Sequence, residues 1–206
     1  MYRYLFALVS LCFLMASCSD GSVVVKYDNG NIKELYQVDK DSLKTGQYLL
    51  FSESGDTLEK AHYSMGKLNG IRTIYSKGSV LEIEEQYVDG VMDGDYKVYH
   101  PNGQLMLAQN YSGGELIGES LRYYENGQLE ERVTFENGEE NGPFTEYHEN
   151  GQVHWEGTYL NGDNEFGLLK EYNDAGELIK KMRCDSLAIC RTIWTIEDGD
   201  IDPNAS

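Results

Sequence analysis

The sequence predicts an all-β fold: an extended antiparallel meander of β-hairpin repeats, about seven units of 24 residues, forming an open, twisted single-layer sheet. Three observations predict it. Gly46, Gly70, Gly94, Gly118, Gly142 and Gly167 follow one another at intervals of 24 or 25 residues. Asn-Gly or Asp-Gly punctuates the chain at 29–30, 69–70, 89–90, 93–94, 102–103, 126–127, 137–138, 141–142, 150–151 and 161–162, the signature of hairpin turns. The segments between them are about 6–9 residues long, the length of a strand, and no helix-length run survives.

At the N-terminus, residues 1–17 carry Arg3, an apolar stretch from Tyr4 to Ala16, and small residues before Cys18, as a secretion signal does. The stretch is shorter than the ~20 residues that a spanning helix needs. Met15-Ala16-Ser17-Cys18 resembles a bacterial lipoprotein box. Cleavage there would leave Cys18 as an acylated first residue, with residues 18–24 a short lipidated linker, and stable anchoring follows from more than one acyl chain.

Residues 25–183 form the repeat domain. In the unit that opens at Gly94, Tyr99, Gly103, Leu105, Tyr111 and Gly114 mark positions that recur along the chain. The first aromatic returns as Phe51, Tyr75, Tyr123, Tyr147 and Tyr172, and the second as Tyr63, Tyr87, Phe135 and Tyr159. A weaker copy begins at Gly21, with Gly30 in its turn and Ile32 at the leucine position. Second strands such as Leu81 to Tyr87 mostly alternate apolar and polar residues, which gives one wet and one apolar face. The first strands are less regular: Tyr96 and Val98 have one parity and Tyr99 the other, which either a bulge or two-sided aromatic packing explains.

Residues 184–206 read as a C-terminal cap and acidic tail. Cys184 and Cys190 are expected to pair in an oxidising envelope, closing a small loop that staples the last unit to the strand-like segment Arg191 to Ile196. From Glu197 to Ser206 the tail is polar and acidic and is expected to be disordered.

The units resemble the bacterial variant of the MORN repeat, which reads close to G-x-Y-x-x-Y-x-x-N-G-x-L with a following Tyr and Gly. Gly94 through Leu105 and Gly118 through Leu129 carry the likeness, which spans about residues 25–183. Arg72 and Ser120 replace the first aromatic, Gly78 sits one place early, and the unit from Gly167 lacks its later Tyr and Gly. Proteins built from this variant are often labelled YwqK-family antitoxins, so the resemblance implies a hairpin array and, as an expectation, an antitoxin-like activity.

A formal net charge of −18 disfavours nucleic acid and anionic headgroups as partners and is compatible with a basic protein. An uncovered aromatic sheet serves either as a binding surface or as half of a homodimer. The expected partner-binding residues are Tyr96, Tyr99, Tyr123, Tyr147 and Trp155, and no cofactor or metal is expected. Catalysis finds no convergent site. His100 and His148 fall at one repeat position two units apart, roughly 19 Å. His148 and His154 flank one turn and would point to opposite faces of a two-residue hairpin, although a longer turn changes that. The chain therefore reads as a non-catalytic, membrane-anchored interaction module of the bacterial cell envelope, with the outer membrane favoured. The alternative is an envelope glycan binder, using aromatic platforms, or a structural envelope protein.

Overall fold

A computed structural model describes residues 21–202. The signal segment 1–17 and the lipidation position Cys18 lie outside the described residues. The chain runs through β1 (Ser22–Lys26), β2 (Ile32–Val38), β3 (Lys44–Phe51), β4 (Thr57–Ser64), β5 (Lys67–Leu68), β6 (Gly70–Ser76), β7 (Val80–Val88) and β8 (Val91–Tyr99). It continues through β9 (Leu105–Ser112), β10 (Glu115–Tyr123), β11 (Leu129–Glu136), β12 (Glu139–Tyr147), β13 (Val153–Tyr159), β14 (Gly167–Tyr172), β15 (Leu178–Cys184), β16 (Cys190–Thr195) and β17 (Gly199–Asp200). All belong to one 17-stranded sheet, an antiparallel meander without helices among the described residues. Seven hairpins make the repeats, β5 and β6 being one interrupted strand, and β16 with β17 extends the sheet beyond them.

The mixed parity of the first strands reflects aromatics on both faces, Tyr96 and Val98 on one and Tyr99 on the other, and the bulge lies in the second strands. In every unit the register slips where the second strand begins, so that one residue has no partner opposite: Lys33, Leu58, Glu82, Met106, Glu130, His154 and Ile179. The bulge repeats with the sequence period and turns the strand without breaking the ladder.

The Asn-Gly and Asp-Gly pairs do three different jobs, and reading all of them as hairpin turns is corrected here. At 89–90, 137–138 and 161–162 both residues have positive φ, between 51° and 94°, as a type I′ turn requires. At 102–103, 126–127 and 150–151 only the glycine does. There the asparagine works through its side chain: Asn102 accepts the Gln104 N–H at 2.9 Å and donates to the Glu125 carbonyl of the next unit at 2.8 Å. Asn126 donates to the Glu149 carbonyl and Asn150 to that of Asp174, so neighbouring turns are stitched together. At 69–70, 93–94 and 141–142 the pair lies at or within strands, where Gly94 (φ 117°) and Gly142 (φ 125°) form irregularities between units. Such backbone angles are open to glycine at little cost, so the glycine that sets the period belongs to a strand.

One face holds the residues that become buried: Tyr48, Ala61, Glu85, Val133, Phe144, Leu169 and Cys184 among those described. With no second layer, large and small residues must cover one another within this core face. Direct cross-strand partners show the fit: Tyr48 faces Ala61, Phe144 faces Gly157, Ser120 faces Val133 and Leu169 faces Met182. Where Arg72 replaces the aromatic, it faces Glu85, with guanidinium to carboxylate at 3.1 Å, and reaches Glu59 at 2.8 Å. The most closed region joins Val133, Phe144, Leu169 and Cys184 with Phe135, Trp155, Tyr159 and Met182 around them.

The C-terminal segment departs from the expected disordered tail. Gly199 and Asp200 pair with Thr195 and Trp194, and the Ile201 N–H bonds the Ile193 carbonyl at 2.9 Å. Cys184 and Cys190 face each other across β15 and β16 and are joined by a disulfide.

Candidate functional site

The repeat register aligns one residue from each successive strand into a row along the core face: Glu34, Leu50, Glu59, Ile74, Ile83, Val98, Leu107, Arg122, Glu131, Glu146, Trp155, Glu171, Lys180 and Thr195. Its middle, from Ile74 to Leu107, is apolar, and beyond it Arg122, Glu131, Glu146, Glu171 and Lys180 are charged. Glu131 on β11 and Glu146 on β12 lie directly opposite, a like-charge pair that costs stability unless countered. The Arg122 guanidinium counters Glu131 at 2.9 Å, and His154 Nδ1 lies 3.7 Å from the Glu146 carboxylate.

These groups frame an open depression of about 210 Å³ lined by Arg122, Tyr124, Glu130, Glu131, Glu146, Tyr147 and His154. A second, of about 250 Å³, shares Arg122, Glu130 and Glu131 and continues past Leu107, Val133 and Phe135 to Glu140. Burial, then Glu131, push the Glu146 carboxyl above its ordinary value of 4.5, with His154 and Arg122 opposing. Glu140 is raised as well, by burial first and then by Glu131 and Asp163. Tyr159 is pushed up to about 12 by burial and by Glu140, Glu131 and Glu146.

A raised carboxyl holds its proton in the folded chain at pH values where the unfolded chain has lost it, so stability falls as pH rises from 4.5 through the folded pKa. Below 4.5 this destabilisation is absent. Glu146→Gln is therefore expected to be more stable than the parent above that window and to lose this part of the pH dependence. Urea midpoints measured at pH 4 and pH 8 test it, and equal midpoint shifts at both pH values would refute it.

The histidines are accounted for individually. His100 Nε2 donates to the Tyr123 carbonyl at 2.8 Å and His148 Nε2 to the Tyr172 carbonyl at 3.0 Å, so both tie one unit to the next. The expectation that His148 and His154 point to opposite faces of a two-residue hairpin is overturned. The connecting turn is longer, His154 is the bulged residue, and the two rings lie 4.3 Å apart. Around them lie the Glu146 carboxylate, 3.7 Å from His154, and the Arg122 guanidinium, so the depression gathers groups of both charges. Among the described residues, the group able to bring three ligand atoms together is Glu165, Cys184 and Cys190, and Glu165 shares a cavity lining with Glu146.

The five residues expected to bind a partner do not share a surface. Tyr96 pairs with Glu85 and Gln109 on the core face, in edge contact with Tyr111 at 5.9 Å, and Trp155 stands on the same face. Tyr99 and Tyr123 directly follow Val98 and Arg122 and alternate to the other side, while Tyr147 borders the charged depression beside Glu146. Tyr99 accordingly has Glu84, Lys97 and Asp95 as its charged neighbours, and they hold it up together with burial, Lys97 opposing. Both tryptophans have an ammonium over the ring: Lys180 lies 5.4 Å from Trp155 and Lys181 4.9 Å from Trp194. A lysine thus occupies one face of each indole that sugar stacking would use. Sequence reasoning assigned the carboxylates to a wet face and passed over Glu131 and Glu146, because their opposition depends on the bulge register.

Comparison with known proteins bears on the same stretch. Residues 92–112, 116–137 and 140–161 match the family model of the MORN repeat variant. Three hairpins match it. They are β8–β9, β10–β11 and β12–β13, and they carry the charged depression between them. The same bulge position recurs outside the matched segments, in the hairpins that begin at β1, β3, β5 and β14. No curated protein matches the chain.

Proposed function

We propose that this chain is a non-catalytic, membrane-anchored repeat lipoprotein that binds another protein through the core face of its sheet, in an antitoxin-like manner. The observation that carries this reading is the Glu131–Glu146 pair, held open to solvent beside Arg122 and His154 and next to the apolar ground around Phe135 and Trp155. A lysine or arginine of a partner would relieve the like-charge pair, and aromatic or aliphatic neighbours would occupy the adjoining depression. The net charge of −18 favours the same class of partner by steering. The Cys18 box and the preceding apolar stretch support a lipid anchor in the cell envelope, with the outer membrane favoured.

The test is crosslinking of the tagged full chain in intact cells, with mass spectrometry of what is recovered from membranes. The Glu131→Lys/Glu146→Lys variant is expected to lose a near-stoichiometric basic partner. The Tyr99→Ser/Tyr123→Ser variant, altered on the other face, is expected to keep it. Both must retain the β-sheet circular dichroism of the parent. Loss only in the tyrosine variant would move binding to the opposite face, and recovery of self-crosslinked chain alone would favour a structural homo-oligomer. Cys18→Ser tests the anchor separately: it is expected to release the protein from the membrane fraction, and continued membrane residence would refute lipidation.

A further inference from the structure

Beyond the charged depression, one cluster combines soft and hard ligands at the C-terminal end of the array. Pairing of β15 with β16 sets Cys184 opposite Cys190, and Cys184 is buried, 3 % exposed. Glu165 comes from the connection between β13 and β14, held by a bridge to Tyr159. Its Oε2 lies 3.3 Å from the Cys190 sulfur. A disulfide sulfur carries no proton, so in the oxidised protein this carboxylate approaches an atom that cannot donate to it. A metal ion bound between carboxylate and thiolates would use the same closeness.

We propose that reduction of the Cys184–Cys190 disulfide converts this cluster into a Zn2+ site with Cys184, Cys190 and Glu165 as protein ligands. The three donor atoms lie within 4.8 Å of one another. Tetrahedral zinc, with Zn–S about 2.3 Å and Zn–O about 2.0–2.2 Å, places its ligand atoms roughly 3.5–3.8 Å apart. Opening the S–S bond lets the sulfurs separate to that distance by side-chain rotation alone, while the carboxylate is already near it. Two thiolates select against Mg2+ and Ca2+, and the carboxylate and an open fourth position suit zinc with a bound water.

The surroundings supply what such a site needs. A depression of about 310 Å³, lined by Leu160, Phe166, Leu187 and Glu165 among others, provides an entry path from solvent. On the other side Glu165 borders Phe144, Trp155, Leu169 and Met182, with the Glu146 carboxylate among them, so one flank of the cluster is largely apolar. Asp185 stands outside the cluster: its Oδ1 accepts the Leu187 and Ile189 N–H groups at 2.9 and 3.1 Å, shaping the connecting turn, and its Oδ2 faces the Arg191 guanidinium at 3.8 Å.

The redox step balances with a dithiol as reductant. One dithiol thiolate attacks a disulfide sulfur, and the second thiolate resolves the mixed disulfide. Two electrons pass to the cysteine sulfurs, the dithiol is oxidised to its own disulfide, and its two protons end on Cys184 and Cys190. Zn2+ then displaces both protons to water as two Zn–S bonds form. Oxidation reverses the sequence and expels the metal, since the sulfurs cannot be bonded to each other and act as thiolates at once.

Cobalt(II) titration of the full chain in detergent tests this, after reduction and anaerobic removal of the reductant. One equivalent is expected to give the visible bands of tetrahedral cobalt with thiolate charge-transfer absorption, displaced by Zn2+, and the oxidised chain is expected to give none. Cys184→Ser/Cys190→Ser, which retains Cys12 and Cys18, is expected to abolish the bands. Glu165→Gln, a change of a partly exposed group that leaves both thiols in place, is expected to weaken binding by at least tenfold. Absence of thiolate bands in the reduced parent, including through melting of the β15–β16 hairpin, would overturn the proposal. So would equal bands in the double serine variant, or undiminished affinity in Glu165→Gln.

Discussion

Replacing Phe144 with alanine is expected to destabilise the array by about 3–4 kcal/mol, within the range for emptying a core aromatic position. The ring is 3 % exposed, stacks on Tyr159 at 4.3 Å and fills the space that Gly157 leaves open. The reason is local: a Cβ built on Gly157 would lie 2.6 Å from Phe144 Cε1 and 3.1 Å from Leu169 Cγ, so glycine serves packing here rather than a turn. Gly157→Ala should in turn cost about 1–3 kcal/mol by overpacking. Combining it with Phe144→Leu should cost less than the sum, because the smaller side chain vacates the clash. Urea unfolding followed by the fluorescence of Trp155, which shares the cluster, reads the parent, the single variants Phe144→Ala, Phe144→Leu and Gly157→Ala, and the double variant. A cost below about 1 kcal/mol for Phe144→Ala would show that the cluster is not a closed core.

Arg72→Ala is the second large effect, expected at about 2–3 kcal/mol, below the usual cost of breaking a buried pair because the arginine side chain is 27 % exposed. It leaves Glu85, 8 % exposed, facing an alanine with its charge uncompensated, and Glu59 loses its 2.8 Å contact. Those two partners hold the Arg72 guanidinium firmly charged, the Glu59 hydrogen bond most of all and burial opposing. The double variant Arg72→Tyr/Glu85→Ala rebuilds the arrangement that Tyr48 and Ala61 make one unit earlier. It is expected to match or exceed the parent, since a well-packed apolar pair avoids the desolvation of the ion pair. A double variant as unstable as Arg72→Ala would mean that the ion pair is needed for more than neutralising Glu85.

Both predictions turn on a correspondence that the period made visible only in part. The sequence identifies Arg72 and Ser120 as departures from the aromatic position. It does not say that the facing residue has changed with them, from Ala61 to Glu85 and Val133, because the facing residue is set by cross-strand register. Phe144 and Gly157 illustrate the same limit. A glycine among strand residues reads as a turn or bulge, and only the neighbouring strand shows that this one makes room for a ring.

The candidate site was legible in its composition and illegible in its geometry. Tyr96, Tyr99, Tyr123, Tyr147 and Trp155 were visible as an aromatic series. The division of Tyr96 from Tyr99 between two faces was signalled by the mixed parity of the first strands, and ordinary alternation along the strand explains it. Glu131, Glu146 and His154 looked like ordinary residues of a solvated face. Because a bulge occurs once in every unit, alternation counted along one strand cannot be carried to the next without knowing where the register slips.

The sequence by itself determined the all-β class, the unit length, the number of hairpins and the antiparallel order. All of these follow from local backbone preference repeated at a fixed interval: glycine where positive φ is needed, and strand-length alternating segments between. Only the tertiary structure decided which Asn-Gly pairs are turns, which residues face one another, where the two carboxylates meet, and how close Glu165 comes to the cysteine pair. The physical reason is that these depend on distances between strands, which register and bulges set, and a register slip of one residue exchanges the faces of every side chain that follows.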